Sequence, residues 1–474
     1  MSGRPAARRM RRLAAVVGGV AAAIAASPAG LFSVTVFARA AEPVEASAKP
    51  DAAKPEGCGA RLVRSSDVPD VALAAGVRLG GLSDLSAARG RGEQSAARAS
   101  GPAFWWAITD RGPNGTIERD GEKLRTLLEP TFTPSLVLLR SDPAAEAPTT
   151  IAVERVLPLS AGSGKPLTGL PTGGPGHLPV LSADGSAELA SDPDGVDTEA
   201  VVELPDGTLW IAEEYGPSLL KVGADGRVSE RHVPIGSGPS AAAVPHRETI
   251  PAVYSKRQDN RGFEAMAAAP DGSRLWVLLQ SPLENPGKKA AKKTGNVRLL
   301  GVDPAAGRPV AEHVYRLGDP TDPDYLSKGA PPDDGKLCAM AMRGDDTLVV
   351  LEQVGDDVCR LYEASLTHAT DTLARPADAE PLEGVADLDA AGIVPLEKRL
   401  LADLAPLRET FAADVHGRDS GRDAPIVKLE GLVLVDDRHV LLVNDNDFAI
   451  DTAADADPAA TCLWLVRLPR PLNP

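Results

Sequence analysis

Residues 197–214 read DTEAVVELPDGTLWIAEE. An apolar run follows Glu199, a Pro-Asp-Gly sequence occupies 205–207, and a second apolar run ends on Glu213 and Glu214. Two apolar runs of strand length on either side of such a turn are typical of a β-hairpin. The stretch therefore predicts a hairpin with carboxylates at the start of its first strand and at the end of its second.

The same pattern recurs along the chain. Residues 262–280 read GFEAMAAAPDGSRLWVLLQ, and residues 428–445 read KLEGLVLVDDRHVLLVND. Two weaker copies lie at 336–353, where Cys338 stands in place of the glutamate, and at 81–110, where a long polar loop separates the two strands. Third and fourth strands are predicted after several copies, so each complete unit supplies four antiparallel strands.

Four-stranded units repeated radially form a β-propeller. We therefore predict an all-β fold, a propeller of four-stranded antiparallel blades in which five repeats are visible and six blades are expected. A β-sandwich is the competing architecture, but it does not explain why the glutamate and the turn recur in step. The irregular segments 162–195, 319–335 and 405–426 are then loops on the faces of the propeller.

The N-terminal residues indicate export. Several arginines are followed by an uncharged apolar stretch at 13–38, and Ala38-Arg39-Ala40 offers the small residues that a signal peptidase reads. We predict a signal peptide at 1–40, a flexible tether at 41–57, a propeller domain at 58–474 and a secreted or periplasmic location. The Sec and twin-arginine routes both remain open. An uncleaved anchor is the alternative, because the apolar stretch is long enough to span a bilayer.

The charge balance limits the partners. The 474 residues carry a formal net charge of -16 at pH 7. Binding to a phosphate backbone needs a concentrated basic face, so nucleic acid is excluded as a partner. No segment after the signal is apolar enough to cross a membrane, and we expect a monomer.

Four cysteines in an exported chain predict disulfide bonds. They are Cys58, Cys338, Cys359 and Cys462, and three pairings are open. We favour Cys58 with Cys462, because a closed toroidal fold brings its termini together. That choice leaves Cys338 with Cys359.

Acidic side chains recur at the two ends of the hairpins. The innermost strands of a propeller line a central channel, so residues at one repeat position converge there. Like charges brought together cost free energy unless a cation offsets them, and oxygen ligands of irregular geometry suit calcium. Asp84 is a looser match to the glutamates of the first strand, and the amide Gln280 lies at the end of a second strand. The predicted calcium ligands are Asp110, Glu199, Glu213, Glu214, Glu264, Glu352, Glu430, Asp445 and Asp447.

Cationic side chains lie beside these carboxylates in the sequence. Arg111, Arg257, Arg261 and Lys428 are candidate ligands for the phosphate of a substrate, since arginine makes bidentate contacts with phosphate. The alternative for each is an ion pair with a neighbouring Asp or Glu. The alternative for each carboxylate is a structural role at the end of a blade.

Six motifs in order resemble those of the phytase-like, or esterase-like, family of exported bacterial proteins. They are ITDRGPNG at 108–115, DTEA at 197–200, EEYGP at 213–217, NRGFE at 260–264, KLEG at 428–431 and NDNDF at 444–448. The resemblance implies a likeness to alkaline phytases, which are calcium-dependent six-bladed propellers that hydrolyse phosphate monoesters. The chain departs from the family at Ala200, Ala265 and Cys338, where Gly, Gly and an acidic residue are usual.

Two classes of function follow. The chain has neither a G-x-S-x-G elbow nor an H-E-x-x-H zinc motif, so the sequence assigns no catalytic residue. One class is a calcium-dependent phosphomonoesterase or related esterase that acts on a small phosphorylated or esterified substrate through metal-activated water. The other is a non-catalytic propeller that binds a ligand or a protein and contains structural calcium.

Overall fold

A computed structural model describes residues 59–89, 103–119, 121–141, 151–173, 179–318, 334–355, 358–376, 378–416, 427–450 and 459–472. The predicted signal peptide at 1–40 and tether at 41–57 lie outside these residues. Within the described part of the chain, no helix is both long enough and apolar enough to cross a membrane.

Strands dominate the described residues. In chain order they are β1 (Arg61–Asp67), β2 (Leu82–Ala87), β3 (Ala103–Thr109), β4 (Asn114–Arg119), β5 (Glu122–Leu127), β6 (Ser135–Ser141), β7 (Ala152–Pro158), β8 (Ser160–Ala161), β9 (Val180–Ser182), β10 (Thr198–Glu203), β11 (Leu209–Glu213), β12 (Ser218–Val222), β13 (Arg227–Pro234), β14 (His246–Ile250), β15 (Phe263–Ala268), β16 (Leu275–Leu279), β17 (Asn296–Asp303), β18 (Arg308–Arg316), β19 (Gly335–Arg343), β20 (Thr347–Val354), β21 (Val358–Ser365), β22 (Glu397–Asp403), β23 (Leu429–Leu434), β24 (His439–Asn444) and β25 (Cys462–Arg467). The α-helices are α1 (Lys288–Thr294) and α2 (Arg408–His416), and short 3₁₀ turns lie at Ala74–Gly76, Ala252–Lys256, Leu382–Gly384, Ala405–Leu407 and Asp447–Ala449.

The strands form blades around a ring. The blades are β2-β3-β6-β7, β10-β11-β12-β13, β15-β16-β17-β18, β19-β20-β21-β22 and β23-β24-β25-β1, and β8 and β14 extend the second blade. Their innermost strands touch in the order β2, β10, β15, β19, β23 and back to β2. The predicted β-propeller is confirmed, but the expectation of six blades is wrong for the described chain, because five blades already close the ring. Part of the extra length forms a separate three-stranded sheet, β4-β5-β9.

Each predicted hairpin forms the inner half of a blade. The pairs β10 with β11, β15 with β16 and β23 with β24 are antiparallel, as are β19 with β20 and β2 with β3. Gly207 and Gly272 hold the left-handed backbone that their turns need, with φ of 82° and 74°. The apolar core lies between adjacent blades, where buried side chains such as Trp210 and Trp276 pack across the interface.

The ends of the ring are joined by strand pairing. The N-terminal strand β1 is the outermost strand of the last blade and pairs antiparallel with β25, so that Asp67 lies opposite Cys462. Cys462 is a free thiol whose Sγ lies 3.7 Å from Asp67 Oδ1. The predicted partner of Cys462, Cys58, lies outside the described residues.

The predicted Cys338–Cys359 disulfide is wrong, because both are free, buried thiols. Cys338 is on β19 and Cys359 is on β21, and β20 runs between these strands. Two strand spacings separate the residues by roughly 9–10 Å, whereas the Cα atoms of a disulfide lie within about 7 Å. Gln353 of β20 lies between the thiols, 3.5 Å from each sulfur.

Asp84 links two blades rather than joining the channel. Its Oδ2 accepts a hydrogen bond of 2.8 Å from the backbone N–H of Val201 in the next blade. The side chain is only 4% exposed, and burial raises the pKa of Asp84 well above its usual range. The folded protein therefore holds a carboxyl group that binds its proton more tightly than the unfolded chain does.

Two substitutions of Asp84 should distinguish the contribution of its hydrogen bond to stability from the cost of its buried charge. Asp84→Ala leaves the Val201 N–H buried without an acceptor and should lower the free energy of unfolding by about 1–3 kcal/mol. Asp84→Asn keeps an acceptor oxygen and removes the buried charge. Since the pKa is raised in the folded state, the stabilising effect of Asn relative to Asp should grow as the pH rises above about 4.

Urea unfolding at pH 4.5 and 7.5 measures both effects. If Asp84→Asn were the less stable protein at pH 7.5 by as much as Asp84→Ala, a buried charge at this position would not be the cost that we infer.

Candidate functional site

One irregularity recurs in every blade and positions the channel side chains. The innermost strand skips one residue in its register with the second strand, which is a β-bulge. A bulge turns the extra side chain away from the regular alternation of the sheet. The skipped residues are Ser83, Glu199, Glu264, Cys338 and Glu430.

The second strand supplies a matching set. On the second strand of each blade, one residue pairs with the residue just before the bulge. The residue that directly follows this partner in the sequence is an acid or an amide in all five blades. They are Asp110, Glu214, Gln280, Gln353 and Asp445. We call these two sets together the channel ring.

Three predicted ligands, Glu213, Glu352 and Asp447, lie outside the channel ring, and the first two are held by other side chains of the protein. Glu213 Oε1 accepts hydrogen bonds from Ser218 Oγ at 2.6 Å and from Arg231 Nη2 at 2.8 Å. Glu352 forms an ion pair with Lys398 and accepts a hydrogen bond from the hydroxyl of Tyr315. Both carboxylates are completely buried and are hydrogen-bonded to the protein. Their contacts therefore fit a structural role, which is the alternative to metal binding.

Asp197, Glu199 and Glu214 form the tightest acidic group. One carboxylate oxygen from each lies within 4.8 Å of one from each of the others. Their exposed fractions are 0%, 6% and 1%. A buried acidic cluster of this kind could bind a metal ion.

The surroundings make these negative charges unfavourable. Burial raises the pKa of Glu199 well above its usual range, and Asp197, Glu264 and Glu214 raise it further. Burial and the carboxylates of Glu214 and Glu430 do the same to the pKa of Glu264. Burial and Asp197 raise the pKa of Glu214 to about 7, although Arg111 acts in the opposite direction. The group therefore needs protons or a cation to be stable.

Several buried oxygens of the channel ring find no hydrogen-bond donor among the described residues. They are Oε2 of Glu264, Oε2 of Glu430 and Oε1 of Gln280. Buried oxygens without partners are rare in folded proteins, and carboxylate and amide oxygens are the ligands that calcium prefers. The donor set around Glu199 therefore fits a hard divalent cation.

Arg111 contacts one side of this acidic group. Its Nη2 lies 2.7 Å from Asp197 Oδ2 and 3.5 Å from Glu214 Oε2, and its guanidinium lies 5.4 Å from the centre of the Tyr215 ring. Asn260, in a left-handed conformation with φ of 55°, places Oδ1 on Arg111 Nη1. Arg111 thus offsets two of the carboxylates while its side chain stays 6% exposed.

Lys428 occupies a second acidic group. Its Nζ is in an ion pair with Asp445 and lies 3.1 Å from Glu430 Oε1 and 3.4 Å from Asp447 Oδ1. Asp110 is close by. Burial raises the pKa of its carboxyl well above the usual range, and the charge of Asp445 raises it further. Lys428 therefore forms ion pairs with neighbouring carboxylates, which is the alternative to the predicted role as a phosphate ligand.

The other two predicted phosphate ligands bind the protein itself. Arg257 Nε donates to the backbone oxygen of Tyr215 at 2.5 Å, and Arg261 Nη1 donates to Ser281 Oγ at 2.7 Å. These contacts hold the loop that carries Asn260 against the channel. In these contacts Arg257 and Arg261 position parts of the protein.

Asp197 and Gln353 are site residues that the predicted ligand set did not include. Asp197 precedes the first strand of its hairpin, where no other copy of the repeat has an acid in the same place. Gln353 was detectable, because it follows Cys338 at the same spacing as Glu214 follows Glu199. That spacing favours Gln353 over Glu352 as the channel residue of its blade.

Comparison with other proteins supports part of this description. The chain is 30% identical over 239 residues to an uncharacterized secreted protein of the fungus Arthroderma benhamiae. The match covers 44% of this chain and 46% of the relative, so the chain spans about half the length of that relative.

Two solved structures align over most of the chain at low similarity. A putative glucose dehydrogenase of Thermus thermophilus is 14% identical with a TM-score of 0.31, and the alignment covers 86% of this chain and 100% of that one. The PQQ-bound aldose sugar dehydrogenase of Streptomyces coelicolor is 11% identical with a TM-score of 0.30, over 85% and 98%. At these scores neither likeness carries an argument about this chain.

The family comparison covers far more of the sequence. The family model described as "Phytase-like: Esterase-like activity of phytase" matches residues 77–448. That range includes all five hairpins and the whole channel ring. The chain belongs to the phytase-like family.

Proposed function

We propose that the protein is a calcium-dependent hydrolase of small phosphate monoesters or related esters, working outside the cytoplasm. The observation that carries the proposal is the buried group of Asp197, Glu199 and Glu214 with Arg111 in contact with it. Carboxylates for a cation and a guanidinium for an anion lie side by side, which is the combination that hydrolysis of a charged ester requires. Membership of the phytase-like family supports a hydrolase, and the secreted relative supports export.

Each residue of the site has a distinct task in this proposal. Asp197, Glu199 and Glu214 would hold the cation, and the unpartnered oxygens of Glu264 and Gln280 would complete its surroundings. Calcium bound there would neutralise the negative charge of the ester and make a water molecule a stronger nucleophile.

Arg111 would orient the substrate. Its guanidinium is fixed by Asp197, Glu214 and Asn260, so little side-chain freedom is lost when an anion binds. The surrounding ring is almost inaccessible to water, which strengthens charge interactions within it. Arg111 therefore binds and positions, and no residue is assigned as a nucleophile.

One observation favours the second candidate, a non-catalytic propeller that binds a ligand or a protein and contains structural calcium. Lys428 lies among Glu430, Asp445 and Asp447, so this half of the ring is offset by the protein's own cation. Alkaline phytases, by the resemblance, need several carboxylates that share bridging ions. A ring with one free acidic group rather than several is better suited to holding a single ion.

Calcium should stabilise the folded protein through this group. A ligand that binds only the folded state at a hundredfold excess over its Kd adds about 2.7 kcal/mol to the free energy of unfolding. Millimolar calcium should raise the melting temperature by a few degrees, and Glu264→Gln should shrink that rise because one carboxylate near the cation is lost. Differential scanning calorimetry with and without chelator measures the rise.

Glu352→Gln is the matched control for this experiment. It removes the buried partner of Lys398 and should lower the free energy of unfolding by about 3 kcal/mol. Because Glu352 lies outside the channel ring, the increment due to calcium should persist. An increment lost in Glu352→Gln and kept in Glu264→Gln would reverse the assignment of these two carboxylates.

Stability should depend on pH in opposite ways without and with calcium. The raised pKa values of Glu199, Glu264 and Glu214 mean that the folded state binds more protons than the unfolded chain, so stability in chelator should fall as the pH rises from about 5 to 8. Calcium competes with those protons and should bind more tightly at pH 8 than at pH 6. Melting curves across this range, in chelator and in calcium, test both slopes; tighter calcium binding at pH 6 would contradict the assignment.

Hydrolysis is tested directly with a chromogenic phosphate monoester and a carboxylate ester. We expect activity on the phosphate ester that vanishes in chelator and returns with calcium. Arg111→Lys should lower kcat/KM about tenfold or more, since a bidentate charged contact is lost. Stabilisation by calcium without hydrolysis of either ester would favour the binding propeller.

A further inference from the structure

A cavity lies beside the blade β15-β16-β17-β18, and the described residues that line it do not belong to the channel ring. Its volume is about 600 Å³, and small-molecule sites have volumes of roughly 300–1,000 Å³. The lining comes from the 3₁₀ turn Ala252–Lys256, from the outer strands β17 and β18, and from the segment 372–382 between β21 and β22. The backbone N–H of Thr372 donates to Glu312 O of β18 at 2.7 Å, so this segment is fixed against the blade.

Ion pairs occupy the buried end of the cavity. Arg298 of β17 lies between two carboxylates, with Nε 2.6 Å from Glu383 Oε1 and Nη1 3.0 Å from Glu312 Oε1. Asn285 links this group to Lys256, since its Nδ2 donates to Glu383 Oε2 at 3.1 Å and its Oδ1 accepts from Lys256 Nζ at 2.8 Å. Two cations therefore balance two carboxylates here, and the buried end of the cavity needs no charged ligand.

The walls of the cavity are mainly apolar. Proline rings form much of them, and each ring fixes the backbone φ at its position. Such walls keep their shape when a ligand binds, so little conformational freedom is lost there. The apolar lining residues include Pro251, Val253, Pro286, Leu373, Pro376 and Leu382. A ligand with an apolar body therefore fits this surface.

Helix α1 adds positive charge beside the cavity. The helix begins two residues after Pro286, which lines the cavity. At the other end of the helix, Thr294 Oγ1 donates to Glu383 O at 2.9 Å, so α1 packs against the turn that closes the cavity. The exposed lysines of α1 are Lys288, Lys289, Lys292 and Lys293.

Cations outnumber carboxylates in this part of the surface. Glu284 lies 3.9 Å from Lys288, and Glu380 lines the cavity together with Arg375. These two carboxylates are fewer than Arg375 and the four lysines of α1. The whole chain has a formal net charge of -16, so a local excess of positive charge distinguishes this surface and attracts anions to it.

We propose that the cavity binds a small organic acid with an apolar body, at a site separate from the channel. The apolar body lies on the proline walls, and the carboxylate lies at the cationic edge that Arg375 and the lysines of α1 provide. A neutral molecule of the same shape gains only the burial of its apolar surface, and a cation is repelled. The ligand therefore needs both an apolar part and a negative charge.

The probe is 2-naphthoate, and 2-naphthamide is its neutral counterpart. Isothermal titration of the full chain should show that naphthoate binds about tenfold more tightly than the amide, since one charged contact is added. Raising the ionic strength from about 10 mM to about 100 mM shortens the Debye length from about 30 Å to about 10 Å and should weaken the binding of naphthoate alone. Chelator and calcium should give the same affinity, because the cavity and the channel ring are separate.

Two variants and a matched control test the two parts of the site. Arg375→Ala should weaken naphthoate binding about tenfold and leave the binding of the amide unchanged. Arg308→Ala is the control, because Arg308 is exposed on β18 of the same blade and does not line the cavity. Ala252→Trp places a large side chain on the exposed turn that lines the cavity and should abolish binding of both compounds.

Several results would overturn the proposal. Amide binding as tight as that of naphthoate would remove the role of the negative charge. Equal losses in Arg375→Ala and Arg308→Ala would reduce the effect to net charge. Unchanged binding in a folded Ala252→Trp protein, or binding that requires calcium, would place the compounds outside this cavity.

Discussion

Mutual repulsion among buried carboxylates is the constraint on which the site depends. A β-bulge at one position of every innermost strand turns a side chain into the channel, and in three of the five blades that side chain is a glutamate. Ring closure then forces Glu199, Glu264 and Glu430 into a shared space that water hardly reaches. The fold therefore brings these negative charges together, and positively charged groups or protons must offset their repulsion.

The protein offsets the charges by two different means. Lys428 forms ion pairs with Glu430 and Asp445, whereas in the group of Asp197, Glu199 and Glu214 the contacts of Arg111 reach Asp197 and Glu214 but not Glu199 among the described residues. The group of Asp197, Glu199 and Glu214 therefore needs protons or a further cation, whereas the group of Glu430 and Asp445 already has the ammonium of Lys428.

Much of this was accessible from the sequence because the repeat is local. The hairpins at 197–214, 262–280 and 428–445 each contain the turn and the leading Glu within 18 or 19 residues, so alternation and spacing place Glu199, Glu264 and Glu430 without knowledge of the other blades. Long-range contacts were not accessible. Glu352 is bound by Lys398 from a different strand of its blade, and the pairing of β1 with β25 joins residues from opposite ends of the chain. The prediction of a sixth blade was wrong because part of the chain forms insertions, such as the sheet β4-β5-β9, instead of a further blade.

The central claim is that a hard cation binds among Asp197, Glu199 and Glu214. Anomalous X-ray diffraction from crystals soaked in terbium, a calcium substitute with the same preference for oxygen ligands, tests it most directly. We predict an anomalous peak within coordination distance of all three carboxylates, with Glu264 or Gln280 turned toward it. Peaks confined to exposed surface carboxylates, with Arg111 alone between Asp197 and Glu214, would contradict the account.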